Sequence, residues 1–498
     1  MKKLLSILVS LILIATLWGI NPYPTASTTL RDISGHEFEA EIRKLVELGV
    51  IRGFPDGTFR PDGLVTRAEI AVMIALAKKA PPMGAGVSPF VDLPGTHWAF
   101  GHILAVNRLG FMRGYPDRTF RPNSNVTRAE MAALLGQAKG LADDAAKITS
   151  APSIANDAGQ VPSWAVGWVT LGYQLPHRFL SFRRDFTIAP TANGTRGEVA
   201  FGIFKVLNPH KVEFINIATG GTGGVYFPLG GAVAEILNRN VPGVNVSVRT
   251  TGASIANIQL LRDGAVQMAF IQNDIAYYAF TGTEMFEGRK FDKLRGLATL
   301  YPETIQIITL AASGIRTLGD LRGRRVAVGA IGSGTEANAR QILEIAGMTY
   351  RDISPRYLSF AEAASGLRDG HVDVAFVTAG LPTAAVRDLA ATRDVTIVPI
   401  PPDVATRLIA QHPFYARVTV PRDTYPKITT DIPTVAVKAT LVVTDDMDNL
   451  LAYDIVEAIF KNLDRLAITH AMGRLISKET ALEGMPIPMK PWADRFFR

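Results

Sequence analysis

The sequence predicts a multidomain protein in which a helical repeat region precedes an α/β domain. Three observations favour this fold class. A chain of 498 residues is longer than one domain usually needs. A sequence motif recurs in the first part of the chain. From about residue 211 onward, short β-branched runs alternate with amphipathic helical patterns, as they do in α/β domains.

Residues 1–26 have the layout of a secretory signal peptide. In "MKKLLSILVSLILIATLWGINPYPTAS", two lysines precede an apolar core, and proline and small residues follow it. An uncleaved single-span anchor is the alternative, because the apolar core is long. No later stretch is apolar enough to span a bilayer, so we expect an exported protein.

Composition argues against several classes of function. The chain has no cysteine, so disulfides, thiolate metal sites and lipidated cysteines are excluded. The net charge of +7 is modest for this length, and the lysines and arginines are scattered along the chain, so no nucleic acid partner is expected. Neither H-E-x-x-H nor G-x-S-x-G occurs, since Ile331 stands where "AIGSGT" would need a glycine. We therefore expect neither an enzyme nor a bound metal or cofactor.

The helical region contains a repeat whose copies span residues 30–80, 88–141 and 155–208. Its core reads "GFPDGTFRPDGLVTRAE" in the first copy and "GYPDRTFRPNSNVTRAE" in the second, whereas the third is degenerate and has "GTRGE". Each copy is predicted to be a lead-in helix, a loop and a second helix. The Thr and Glu of "TRAE" fit a capping box at the start of that second helix. The capping box does not explain the arginine, which recurs at one offset in all copies.

The repeats resemble the S-layer homology (SLH) domain, in a tandem of three. The resemblance implies a helical pseudo-trimer that attaches exported proteins to an anionic secondary cell-wall polysaccharide. The positive guanidinium group of arginine can make two parallel hydrogen bonds to a carboxylate, so arginine is suited to binding an anionic polymer. A helix-packing role for Trp98 is an open alternative to sugar stacking. The binding candidates that the resemblance implies are Asp32, Arg67, Asp92, Trp98, Arg128 and Arg196.

Glycine-rich polar turns follow several predicted strands of the second region. The first is "GGTGGVYFPLGG", and "RTTGASIAN" and "GAIGSGTEAN" come after later strands. Open α/β sheets bind ligands at this edge, where helix starts offer N–H groups to an anion. A nucleotide loop is not favoured, because Tyr226 replaces the third glycine of G-x-G-x-x-G. An anion cradle and a merely structural tight turn both remain open. Ser333 and Glu336 are predicted to form a further capping box.

This region is similar to the TAXI family of TRAP-transporter solute receptors. The segments that carry the match include "IATGGTGGVYFPLGGAVAEILN", "TTGASIANIQLLRDGAVQMAFIQNDIAYYA" and "LRGRRVAVGAIGSGTEANARQILEIAG". The resemblance implies a bilobed α/β domain over residues 211–498, like a type II periplasmic binding protein. It also implies a small carboxylate ligand, such as glutamate or 2-oxoglutarate, and delivery to TRAP membrane permease subunits.

The resemblance implies two walls of a ligand cleft. The first lobe would contribute Thr222, Gly223, Gly224, Val225, Tyr226, Thr251, Ser254 and Gln272, and the second Ser333, Gly334, Thr335, Gly380 and Pro382. Residues 306–312 and 435–443 are the predicted crossings between the lobes. Asp274 is expected to hold loops together and not to meet the ligand.

Taken together, the two regions predict a cell-wall-anchored extracytoplasmic solute receptor. Its predicted location is the cell surface or cell wall, outside the cytoplasmic membrane. Three wall-binding repeats would keep an exported receptor near its permease. The alternatives are a structural envelope protein associated with the S-layer, and a ligand sensor without a transport role.

Overall fold

The computed structural model describes residues 30–498, apart from residues 85, 153, 175, 184 and 209–211. The predicted signal peptide lies outside the described residues. The chain divides into two compact units, one ending at residue 211 and the other running from Val212 to Arg498. Within the described part of the chain, no helix is long and apolar enough to cross a bilayer.

The first unit, called the repeat unit here, is helical. Each copy of the repeat supplies a lead-in helix and a second helix, and one short helix lies between the second and third copies. The helices are α1 (Glu39–Glu47), α2 (Arg67–Ala77), α3 (Phe100–Arg108), α4 (Arg128–Lys139), α5 (Ala142–Ala146), α6 (Val166–Tyr173) and α7 (Arg196–Leu207).

All three second helices begin with the same cap. Thr66, Thr127 and Thr195 each accept a hydrogen bond from the backbone N–H of the glutamate three residues on, and that glutamate reaches back to the cap N–H. The capping box predicted for "TRAE" is therefore confirmed, and the degenerate third copy keeps it. The cap satisfies backbone donors that a helix start otherwise leaves without partners.

The second unit, called the α/β unit here, contains a ten-stranded sheet in the order β2-β1-β3-β10-β4-β7-β5-β6, with β8 paired to β4 and β9 paired to β10. Strands β1 to β3 pair in parallel, as do β5, β6 and β7. The strands are β1 (Glu213–Ala218), β2 (Val244–Arg249), β3 (Met268–Gln272), β4 (Leu294–Leu310), β5 (Arg325–Ala327), β6 (Ser354–Arg356), β7 (Val374–Ala379), β8 (Val395–Val398), β9 (Ala416–Val420) and β10 (Ile432–Thr444).

Helices follow most of these strands. They are α8 (Tyr226–Asn240), α9 (Ser254–Arg262), α10 (Asn273–Thr281), α11 (Gly334–Ile345), α12 (Phe360–Arg368), α13 (Ala384–Ala390), α14 (Pro402–Gln411), α15 (Asn449–Phe460), α16 (Leu463–Thr469) and α17 (Pro491–Phe497).

Two separate hydrophobic cores divide the α/β unit into two lobes. Lobe 1 is built on β1, β2 and β3, and its core includes Ile258, Ile271 and Ile275. Lobe 2 is built on β5, β6 and β7, and its core includes Ile307, Val326 and Phe376. The parallel strands are short apolar runs, as expected for strands covered by helices.

Strands β4 and β10 belong to both lobes. Strand β10 pairs with β3 over Ala439–Val443 and with β9 over Ile432–Ala436, so it crosses within the predicted range 435–443. Strand β4 joins β7 only from Thr304 onward. The first crossing therefore lies before residue 304, and the predicted range 306–312 is wrong. Pro302 and a register shift interrupt the regular pattern there, which hid the first half of β4 from sequence analysis.

Candidate functional site

A cavity of about 290 Å³ lies between the two lobes of the α/β unit. The turn after β1 and the turn after β2 form its lobe 1 side, and the turns after β5 and β6 form its lobe 2 side. Eleven of the predicted ligand-binding residues line it, namely Thr222, Gly223, Gly224, Val225, Tyr226, Thr251, Ser254, Gln272, Ser333, Gly334 and Thr335.

Gly380 and Pro382 were predicted in the same cleft but lie outside this lining. A Cβ on Gly380 would meet the side chain of Met472, and the Pro382 carbonyl bonds to His470 Nε2. Thr378 and Ala379, at the end of β7, line the cavity instead. The prediction misplaced the lining because the chain turns away from the cavity directly after the strand ends.

Several lining hydroxyls have structural partners. Thr251 Oγ1 lies 2.6 Å from Asn257 Oδ1, and Ser254 Oγ accepts a hydrogen bond from the Gln272 N–H. Ser333 caps α11, but Glu336 does not complete the predicted capping box. The Glu336 carboxylate instead accepts a hydrogen bond from Tyr350 at 2.8 Å. These hydroxyls therefore position the loops as well as line the cavity.

Four helices begin at the cavity wall. The first residues of α8, α9, α11 and α12 all belong to the lining. Each helix start carries N–H groups without intrahelical partners and a partial positive charge. No lysine, arginine or histidine is among the described lining residues. Backbone amides and helix ends are therefore what this cavity offers to an anion.

Sequence analysis missed the α12 wall, formed by Ser359, Phe360 and Ala361. Ser359 caps α12 in a capping box with Glu362. The S-x-x-E pattern in "SFAE" would have identified this helix start, and its position after β6 would have placed it at the binding edge.

Glu303, also missed, is the one acidic side chain among the described lining residues. It is 3% exposed, and Tyr226 donates a hydrogen bond of 2.6 Å to its Oε2 atom. Burial raises the pKa of Glu303 to about 8. No motif in the sequence marks this residue, because the part of β4 that carries it was not predicted.

Direct hydrogen bonds join the lobes around the cavity. The N–H groups of Ile255 and Ala256 donate to Gly332 O, and the N–H of Ala385 donates to Gly223 O. Away from the lining, Asn338 donates to Asp274 at 2.9 Å across the lobe boundary. Burial raises the pKa of Asp274 to about 7. Asp274 thus connects the lobes and is not among the lining residues.

In the repeat unit, the three predicted polysaccharide-binding arginines are buried. Arg67, Arg128 and Arg196 are 5%, 1% and 7% exposed. Each donates to backbone carbonyls of the next copy: Arg67 to Phe120, Arg128 to Ile188 and Arg196 to Phe59. The third copy therefore returns to the first, and the contacts close a ring.

The glutamates of the capping boxes take part in this ring. Arg128 forms an ion pair with Glu198, and Arg196 forms one with Glu69. The arginines thus hold copies together. Arg67 and Arg128 were predicted to contact the polymer directly, but their side chains are too buried to reach it. The positive charge in the first helical turn is compensated by a carboxylate of the neighbouring copy.

Asp32 and Asp92 also have structural partners. The Asp32 carboxylate accepts the N–H groups of Phe59 and Arg60, and Asp92 binds the corresponding loop of the second copy in the same way. Asp157 makes the matching pair of bonds in the third copy. Sequence analysis missed Asp157, although its place before the third lead-in helix was the available indication.

Trp98 is placed differently from the arginines. It is 42% exposed and lines a second cavity of about 310 Å³, called the repeat groove here. The other walls come from the first copy, His102 of α3, and Arg196. Among the described residues, no group of three metal-binding side chains occurs in either unit.

Comparison with known proteins identifies both units. Residues 217–498, more than half of the chain, match the model of the NMT1-like family. Residues 29–71 and 89–132 match the S-layer homology domain, whereas the third copy is outside these matches. Cell surface glycoprotein 1 of Acetivibrio thermocellus is 47% identical over 87 residues, which are 17% of this chain and 4% of that protein.

The cellulosome-anchoring protein of the same organism is 36% identical over 117 residues, which are 22% of this chain and 26% of that protein. The chain thus spans about a quarter or less of these two relatives. Among solved structures, a periplasmic transporter aligns over 58% of this chain and 93% of its own, with a TM-score of 0.39 and 10% identity. The aliphatic sulphonate binding protein SsuA of Escherichia coli aligns over 58% and 79%, with a TM-score of 0.33 and 15% identity.

The S-layer homology domains localise the chain to the extracytoplasmic cell surface. Two lobes, a sheet shared through β4 and β10 and an interlobe cavity give the α/β unit the architecture of a periplasmic binding protein. Because the family model matches more than half of the chain, the chain belongs to the NMT1-like family.

Proposed function

We propose that this protein is a cell-wall-anchored solute receptor that binds a small carboxylate, such as glutamate or 2-oxoglutarate. The observation that carries the proposal is the interlobe cavity at which four helices begin. The TAXI resemblance adds the proposed partner, the membrane subunits of a TRAP-type permease to which the receptor would deliver its ligand.

The cavity favours a carboxylate for electrostatic reasons. Each helix start acts as roughly half a positive charge, and first-turn N–H groups that have no partner in the fold can donate to an anion. An anionic ligand would therefore be stabilised although the described lining has no cationic side chain. The volume of about 290 Å³ suits a metabolite and not a polymer.

The two crossing strands supply a hinge for capture and release. Among the described strands, β4 and β10 alone run through both lobes, so bending them would open the cavity. The bonds from Ile255 and Ala256 to Gly332 would break on opening and form on closure. We propose that the ligand stabilises the closed arrangement by contacting both lobes.

The first test of the receptor function is a thermal-shift and calorimetric titration of the full chain. Glutamate, 2-oxoglutarate and other small acids would be compared with neutral sugars. A ligand that binds only the folded protein raises its melting temperature. At a ligand concentration one hundred times Kd, the free energy of unfolding increases by about 2.7 kcal/mol. Binding of an acid supports the proposal, and binding of no acid by folded, ligand-free protein contradicts it.

The repeat unit supports the anchoring half of the proposal. We propose that its three copies form a pseudo-trimer, because the arginine contacts run from each copy to the next and back to the first. The repeat groove is the proposed polymer site, with Trp98 stacking on a sugar ring. The polymer would be an anionic secondary cell-wall polysaccharide.

Binding of the full chain to purified cell-wall fragments tests the repeat groove. Trp98→Ala should weaken the binding at least tenfold. Trp164→Ala is the matched control, because Trp164 is 55% exposed and lies outside the described lining of the groove. Equal binding by the Trp98 variant and the wild type would refute this site, while acid binding by the α/β unit should be unchanged in both variants.

A further inference from the structure

Glu303 places a carboxyl group inside a cavity that otherwise suits anions. The side chain is held by the hydrogen bond from Tyr226 to Oε2. No described residue donates a hydrogen bond to the other oxygen, Oε1. Glu303 lines the cavity, so Oε1 is the oxygen left to meet a ligand.

The side chain of Gln272 lies on the same face of the sheet as that of Glu303. On β10, Val437 pairs with Glu303 and Ala439 pairs with Gln272. Residues two apart on a strand face the same side, so both side chains project from one face of the sheet. Gln272 is 3% exposed, and its Oε1 atom has no hydrogen-bond partner among the described residues.

Among the described residues, no positive side chain lines the cavity beside Glu303 or acts on its carboxyl group. The titratable groups that act on it are Tyr226 from α8, Tyr301 from its own strand and Asp274 from α10. Burial raises the pKa of both tyrosines well above the usual value, so they stay neutral. A buried carboxylate without a cation is costly, whereas a ligand cation would make the ionised form favourable.

We propose that the ligand carries a protonated amine as well as a carboxylate, and that Glu303 pairs with the amine. This inference rests on the proposed receptor function and narrows it to amino-acid-like zwitterions. The carboxylate would lie at the helix starts, and the ammonium group would donate to Glu303 Oε1. An ammonium group has three donors and no acceptor, which suits a carboxylate oxygen that receives no hydrogen bond from the described residues.

The proposal predicts a particular pH dependence. In the empty cavity, Glu303 has a pKa of about 8 and is mostly protonated at pH 7. Pairing with an ammonium group requires the ionised form, so binding releases a proton. Affinity should therefore rise up to tenfold per pH unit between about pH 6 and 8. An acid without an amine would favour protonated Glu303, and its affinity would fall as the pH passes 8.

The test compares amino acids with the 2-oxo acids of the same carbon skeleton, by calorimetry on the full chain. Glutamate against 2-oxoglutarate is the first pair, followed by the other common amino acids. The amino member should bind at least tenfold more tightly at pH 7, and Glu303→Gln should remove that preference. Glu336→Gln, outside the described lining, is the matched control and should keep it.

A measurement without a variant covers the case in which Glu303→Gln does not fold. Titration of the wild type in two buffers of different ionisation enthalpy should show proton release with the amino acid at pH 7. A 2-oxo acid that binds as tightly as its amino partner, or proton uptake on amino-acid binding, would overturn the inference and leave the receptor function intact. Failure of every acid to bind would overturn the receptor function itself.

Discussion

Gly334 shows how one residue controls the shape of the cavity. A Cβ at this position would overlap Gln272 Oε1, far inside van der Waals contact. Gln272 is buried, so its amide has little room to move away. The missing side chain of Gly334 therefore lets the first turn of α11 pack directly against the lobe 1 side of the cavity.

Substitution of Gly334 by alanine should displace Gln272 and lower ligand affinity at least tenfold. The matched control is Gly231→Ala in α8, where an added Cβ meets nothing within 4 Å. That variant should leave affinity unchanged and gain up to about 1 kcal/mol of stability, because alanine is the better helix former. Calorimetric titration with the acid found for the wild type measures both variants, and unchanged affinity in Gly334→Ala would refute the argument.

Among the elements, the second helices of the repeats carry two functions at their first turn. Their threonine and glutamate form the cap, and their arginine holds the next copy of the repeat. Arg128 is 1% exposed, and its Nη2 group donates to Tyr173 Oη and to the Ser181 carbonyl. The same first turn therefore stabilises the helix and the contact between copies.

Loss of the Arg128 side chain should destabilise the repeat unit by about 3–5 kcal/mol, because Glu198 would keep a partly buried charge without its partner. Arg121→Ala is the matched control. Its ion pair with Asp117 is about half exposed, so removing it should leave the unfolding midpoint nearly unchanged. Denaturant unfolding of both variants measures the difference, and equal midpoints would show that the buried arginine is not a structural contact.

For the whole molecule, the two buried carboxyl groups of the α/β unit affect stability as well as binding. Asp274 lies at the lobe boundary and Glu303 on a crossing strand. Burial raises the pKa of Asp274 to about 7 and that of Glu303 to about 8. In the unfolded chain both would ionise near their ordinary values, so the folded state retains protons that the unfolded state loses.

Stability of the ligand-free protein should therefore fall as the pH rises from about 5 towards 8. Each of the two groups contributes up to about 1.4 kcal/mol per pH unit until its folded-state pKa is reached. The double variant Asp274→Asn, Glu303→Gln should flatten this part of the profile. Asp403→Asn, at an exposed site, should not. Thermal unfolding of the α/β unit at several pH values measures this profile. A wild-type stability that rises between pH 5 and 8 would contradict the predicted fall.

The repeats, their capping boxes, the α/β character of the second unit and most of the cavity-lining turns could be predicted from the sequence alone. These features depend on neighbouring residues, such as Thr127 with Glu130, or on glycine turns directly after strands. Only the tertiary structure decided that Arg67, Arg128 and Arg196 face the next copy, that β4 crosses before residue 304, and that Glu303 enters the cavity. Each of these depends on a contact between segments far apart in the chain, and one sequence carries no local pattern for such contacts.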